Sequence, residues 1–450
     1  MEKISLIKKK LMQMPQAYTA VLCALTTFSI YMCTYAFRKG FTAGIYPADQ
    51  LLGIDFKVWL VIAQVAGYAF SKFIGIRFIA ETQPNGRAKA ILILLLIAWL
   101  SLLGFAVIPA PYSIICLFIN GIPLGLIWGL IFTYIEGRKS AEFIGAVLCT
   151  SFIFSSGIIK TIGRLMMIHW SVTERWMPFM VGLLFVLPLL FFVYLLEQVP
   201  PPTAEDIKLR TKRLPMTAKE RKAFVKYFLP GLIFNIAIYV LLTVMRDFRD
   251  NFEVEIWTDF GYKNNPGIYS QIDIPVSLVV LVLMSLIMLV KKNFLAFKVA
   301  HFSIGFGFLL IGAGTWAFMS GAIQSMVYMY IVTLGLYLAY VPYSIIFFER
   351  LIATFRYKSN VGFMIYLADS IGYLGSVFIL LFKQFGHTQL SWGSFFVHGA
   401  GLVSVIGIMG ISLSYLYFWR KKLGIAAETT DIPDHSVSQS VNPDFSQSGL

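Results

Sequence analysis

Charge is scarce in this chain. Asp, Glu, Lys and Arg make up 13% of its 450 residues, about half of the roughly 25% usual in soluble domains. That shortage excludes an ordinary soluble enzyme or binding module. Cysteine is equally sparse: Cys23, Cys33, Cys116 and Cys149 all fall inside apolar runs, without metal-ligand spacing or paired loop positions, so neither a disulfide scaffold nor a zinc site is expected. The sequence has no Walker A loop, no Gly-x-Ser-x-Gly elbow and no paired carboxylates on a polar face, which argues against nucleotide-driven or hydrolytic chemistry. No enzyme activity, cofactor or metal is expected. Nor is a cleavable leader apparent, because the first apolar run is too long and continues into Arg38, Lys39, Gly40 and Phe41 without a small-residue cleavage site.

What fills the chain instead is apolar. Hydrophobic residues reach 58%, with 40 Phe distributed along the whole length. A window of about 20 residues crosses the hydrocarbon core as a helix. On that measure spans fall near 17–45, 57–80, 88–108, 111–136, 141–168 and 175–197, then near 225–247, 265–290, 294–319, 322–349, 358–383 and 391–419. The expectation is an all-α, multi-pass integral membrane protein of twelve helices. They divide into an N-terminal half (1–197), a polar central loop (198–224) and a C-terminal half (225–422). The Ser-, Asp- and Pro-containing tail 423–450 reads as disordered.

Lys and Arg outnumber Asp and Glu by 37 to 23, and 26 of those cations lie in segments that would share a face with the N-terminus. By the bias that retains such residues in the cytoplasm, both termini are expected inside. The formal charge of +14 is then mostly a topology signal rather than a nucleic-acid surface.

Ionisable groups do occur within the spans: Arg38, Lys39, Lys72, Lys160, Arg164, Arg246, Asp247, Asp273 and Asp369. Each costs roughly 2.5–3.5 kcal/mol at a helix centre, so each should face protein, water or a ligand. On the first helix Tyr31, Tyr35, Arg38 and Thr42 recur on one face; on the seventh, Asn235, Tyr239, Thr243 and Arg246 do the same. A guanidinium presents a planar fork of donors suited to phosphate or carboxylate oxygens. The plainer reading of either arginine is an interfacial anchor, or for Arg246 a local pair with Asp247.

Twelve spans as six plus six, with a charged central loop, is the layout of the major facilitator superfamily. The runs YAFRKGFTAGIYP and GYAFSKFIG, with NIAIY at 235–239 and IGYLGS at 371–376, further resemble the organophosphate:phosphate antiporters. The resemblance implies a substrate at the midplane between the halves. It places Arg38 on the family's phosphate-contacting arginine, with Tyr35, Lys72 and Tyr239 on neighbouring site positions. Counting from Asn235, the family's second arginine falls on Leu242, one turn before Arg246, and Phe154 stands where the antiporters have a histidine.

The expected activity is therefore secondary transport of a small anionic, phosphorylated or related solute, in a bacterial inner membrane by family likeness. Arg38, Lys72, Tyr35, Arg246, Tyr239 and Asn235 are the candidate ligands. Lys160 or Arg164 could bridge to Asp273 across the halves, as helices five and eight neighbour each other in this fold. Asp369 could neutralise Lys72 or carry a proton. The alternatives are a transporter-like sensor of a phosphorylated metabolite and a proton-coupled symporter using Asp369. Gly121, Gly125 and Gly129, at four-residue steps, are expected to admit a close helix neighbour.

Overall fold

A computed structural model describes residues 6–47, 50–81, 83, 86–203, 206, 218–263, 265–355, 357, 361–386 and 390–430. After a short helix at Leu6–Met12, twelve long helices follow. In the first six, α1 is Gln16–Lys39, extended by a 3-10 turn at Gly40–Ala43, α2 is Phe56–Glu81, α3 is Arg87–Val107, α4 is Ile114–Ile135, α5 is Ala141–His169 and α6 is Met177–Gln198. The second six are α7 at Ala218–Asp259, α8 at Ile268–Met288, α9 at Asn293–Met319, α10 at Ser325–Phe355, α11 at Val361–Phe385 and α12 at Trp392–Thr430. Between α1 and α2 a two-residue hairpin pairs β1 (Gln50–Leu51) with β2 (Ile54–Asp55), turning through Leu52 and Gly53 at φ 57° and 72°.

Ten of these helices are long and apolar enough to cross a membrane, counted over the described residues. An apolar solvent leaves backbone groups no partner outside the segment, so helices are the only local solution open to such runs. Large apolar side chains remain exposed along the outer faces, among them Leu187, Phe191, Phe302, Trp316, Leu374 and Phe378. This is a multi-pass integral membrane protein.

The helices form two groups of six, α1–α6 and α7–α12, which meet chiefly where α5 packs on α8 and, less extensively, where α2 packs on α11. Glycine sets the closest approaches. A Cβ at Gly121 would fall 2.2 Å from the Gln64 carbonyl oxygen, and one at Gly67 would fall 2.1 Å from that of Phe118, so α2 and α4 touch backbone to backbone. Across the group boundary a Cβ at Gly157 would lie 2.6 Å from the Tyr269 carbonyl oxygen. Gly121→Val should therefore lower the melting temperature of the detergent-solubilised protein, the overpacking costing at least about 1–3 kcal/mol. An unchanged melting curve would mean that α2 and α4 can separate freely.

One helix departs from expectation. The seventh span was placed at 225–247, with Arg249 in a loop, yet α7 continues to Asp259 with non-helical angles only at Phe252 (φ −117°, ψ 21°). There the Phe252 ring stacks on Trp392 at 3.9 Å. The charges that seemed to end the span are carried inside the bundle because each finds a partner there. In α10 a π-helical turn, Tyr343–Phe347, follows Pro342, consistent with proline's disruption of the regular bonding ladder.

Candidate functional site

The end of the bundle where α1, α5 and α7 finish and α2 and α8 begin is closed by charge. In the ion pairs described there, the cations that reach across come from the first group of helices and the acids that receive them from α7. The Lys39 ammonium donates to Asn251 Oδ1 at 2.6 Å and lies 3.1 Å from Asp250. Lys57 donates to both oxygens of Glu255 at 2.6 and 2.8 Å and to the Thr42 carbonyl at 2.9 Å. Lys160 reaches Asp250 at 2.9 Å, Glu253 at 2.8 Å and Ser156 Oγ at 2.6 Å, and the Ser156 hydroxyl donates to Asp250. Behind this layer Arg249 binds Glu253 at 2.8 Å and Asp273 at 2.5 Å.

Lys160, Arg249, Glu253 and Asp273 are completely buried. Charges withdrawn from water to that degree persist only when paired and hydrogen-bonded. The expected bridge from Lys160 or Arg164 to Asp273 is thus corrected. Lys160 pairs with acids of α7, Asp273 pairs with Arg249, and the half-buried Arg164 donates to the Lys263 carbonyl at 3.2 Å. The reason is that α7 runs on to Asp259, so its last turns supply Asp250 and Glu253 to Lys160 and Arg249 to Asp273. At the opposite end the groups are linked by Arg350 and Glu142 at 3.3 Å, with the Glu142 side chain 41% exposed. Arg350→Ala should change stability by no more than about 1 kcal/mol, the range for exposed pairs, as read by thermal unfolding.

Just inside the closed end lies Arg38. Its guanidinium sits over the ring of Tyr68 at 4.6 Å and near that of Tyr35 at 5.7 Å, within the range of a cation–π attraction. Among the described residues it has neither a carboxylate partner nor a hydrogen-bond acceptor. It is half-buried and borders, with Gln64, Tyr68, Asp247, Asn251 and Tyr373, a cavity of about 10 Å³ between the two groups of helices. The backbone that carries it is held firmly. Gln64 donates to the Arg38 carbonyl at 2.6 Å and to Asn120 at 2.7 Å, and Asn120 donates to the Phe37 carbonyl at 3.1 Å.

The other candidates occupy varied positions. Arg246 bonds Asp247 at 2.7 Å and lies 4.3 Å from the Tyr340 ring, so its charge is met locally, and Asp247 also accepts from Ser376 at 2.9 Å. Tyr239 donates to Asp369 and approaches the Tyr340 hydroxyl at 3.1 Å. Asn235 is completely buried, its amide donating to the Gly231 carbonyl and Ser414 and accepting from Tyr343. Both ends of that side chain are used in packing α7 against α10 and α12, which leaves nothing for a ligand and corrects its expected role. The side chain of Lys72 lies outside the described residues. Lys57, Arg249, Asp250, Asn251, Glu253 and Glu255 are not among the site residues expected from the sequence. The signal for some of them was present, since Arg246, Asp250 and Glu253 follow helical spacing.

The arrangement therefore consists of a solvent-shielded charge lock at one end and, beneath it, a preorganised guanidinium facing a central cavity. Comparison with solved structures shows where this architecture recurs. A D-xylose-proton symporter superposes with TM-score 0.57 at 14% identity, covering 89% of this chain and 98% of that one. The nucleoside transporter NupG gives 0.58 at 13% identity, covering 88% and 99%, and a peptide transporter, POT, in complex with alafosfalin gives 0.57 at 12%, covering 87% and 94%. The fold is the major facilitator fold of such transporters. No curated protein sequence matches. Residues 40–421 match a family model described as "Family of unknown function (DUF5690)", and with most of its length inside that match, Arg38's neighbour Lys39 lying just before it, the chain belongs to this family.

Proposed function

We propose that the protein is a secondary active transporter of a small anionic solute. The observation that carries this reading is the Arg38 guanidinium, set against the rings of Tyr35 and Tyr68 at the boundary of the two halves and given no acid among the described residues. Such a fork suits a carboxylate or phosphate, and an unneutralised cation in a shielded cleft attracts anions and repels cations. Phosphorylated solutes, and exchange against phosphate, are the finer form of the proposal, supported by the likeness of the first two helices to the organophosphate:phosphate antiporters.

The same geometry supports alternating access. A cavity of about 10 Å³ has room for about one water, so a solute enters only after the halves part. With both termini in the cytoplasm, as the distribution of Lys and Arg implies, the charge lock closes the outer end and the Arg350–Glu142 contact the inner one. Among the described residues the inner contact is the more exposed of the two.

The test is counterflow. Proteoliposomes containing the full chain are preloaded with phosphate, sugar phosphates or organic acids, and entry of the corresponding labelled solute is followed. Accumulation above the external concentration is expected for at least one preload. Saturable binding without any flux would replace the transporter by a sensor.

A further inference from the structure

Arg38 lines the central cavity, and Asp369 lies on the other half one turn from Tyr373, which also lines it. Around them, among the described residues, the charges of the closed end are paired. Lys39, Lys57, Lys160, Arg246 and Arg249 bear on carboxylates of Asp247, Asp250, Glu253, Glu255 and Asp273. Among the described residues Arg38 has no acid and Asp369 no base. The Asp369 carboxylate, half-buried on α11, is met by the Tyr239 hydroxyl, whose ring stacks on Tyr340 at 5.4 Å.

A row of aromatic contacts links the surroundings of the two charges. Asp369 lies one turn before Tyr373 on α11, the Tyr373 ring meets the Tyr68 ring at 5.2 Å, and Tyr68 is the ring beneath Arg38. An anion bound at Arg38 would neutralise one half and bring a like charge toward the carboxylate of the other. A second pole of opposite sign on the same molecule removes that repulsion and satisfies both residues. Buried unpaired charges are costly enough to make this a selectivity device, because a ligand lacking either pole leaves one of them uncompensated.

We propose that the solute is a zwitterion, with its anionic group on Arg38 and an ammonium on Asp369. The inference rests on the anion reading of Arg38 and adds to it the second pole. The contacts that lead from one pole to the other run through two rings, Tyr68 and Tyr373, with centroids 5.2 Å apart, which favours an ω-amino acid or an aminoalkyl phosphate over a compact α-amino acid.

The experiment is ligand binding to the purified full chain, using matched probes with and without an amine: 4-aminobutyrate against butyrate, and 2-aminoethyl phosphate against ethyl phosphate. In the wild type the amine-bearing member of at least one pair should bind about tenfold more tightly or better. Asp369→Asn should bring the two members within about threefold of each other, whereas Asp369→Glu should keep the preference, and size-exclusion and melting profiles check that both variants fold. Equal binding of amine-free anions by wild type and Asp369→Asn overturns the zwitterion and leaves the anion reading standing. Amine-free binding that tightens at low pH, with that dependence lost in Asp369→Asn, also overturns it and assigns Asp369 a proton instead. Failure of every probe, charged at one pole or both, overturns the two readings together.

Discussion

Arg38→Ala is expected to lower solute flux at least about a hundredfold while leaving the melting temperature nearly unchanged. The two halves of that result have separate causes. A bidentate contact between guanidinium and oxyanion comprises two charge-assisted hydrogen bonds, each contributing about 1.5–3 kcal/mol, and 1.4 kcal/mol corresponds to a factor of ten. Among the described residues, however, the Arg38 side chain makes only ring contacts, with Tyr35 and Tyr68. Removing it therefore deprives no protein group of an ionic partner. Arg38→Lys should restore little, because an ammonium keeps the charge without the planar fork. Counterflow in proteoliposomes and thermal unfolding in detergent measure the two quantities independently. A variant that unfolds early but transports normally would make Arg38 a structural residue.

Lys160→Ala is expected to have the opposite profile, with a large loss of stability in the closed state and an opening of the charge-locked end. Lys160 and Glu253 are completely buried, and both Asp250 and Glu253 rely on this ammonium. Breaking a buried pair from one side leaves an uncompensated charge and costs about 3–5 kcal/mol. The cheapest relief is for the halves to part and admit water. A cysteine placed by Val254→Cys, at a position 1% exposed on α7, should then react with a polar maleimide many times faster than in the Lys160-intact background. The peripheral pair is more forgiving. Lys57→Met combined with Glu255→Leu should keep that thiol shielded, because replacing both members of a buried pair by apolar groups is often neutral or stabilising, whereas either single change should expose it. Equal labelling in all backgrounds would show that these ion pairs do not hold the halves together.

Much of this was legible before any coordinates. A run of about 20 apolar residues has one stable form in lipid, so the twelve spans and their division into six and six follow from local composition. Arg38 stood out for a similarly local reason: an arginine in such a run has to be compensated by something. The glycines of α4 at 121 and 125 were readable as a close-packing face, and the first lies 2.2 Å, on adding a Cβ, from the backbone of α2.

The partnerships were not legible. Lys160 was expected to bridge to Asp273 and instead meets Asp250 and Glu253, because the stretch from Arg246 to Glu255 reads locally as the polar end of a span. Only when Lys39, Lys57 and Lys160 are brought against it by helices distant in the chain does it become cheaper to continue the helix than to expose it. Asn235 shared a face with Tyr239 and Arg246, yet α10 and α12 claim its amide. Sequence by itself determined the membrane class, the helix count and the presence of an arginine inside the first span, since each depends on the transfer cost of a group from water. Tertiary structure alone decided which charges cancel, which seal one end and which two, Arg38 and Asp369, have no ionic partner among the described residues, since a charge's free energy depends on neighbours that periodicity cannot identify.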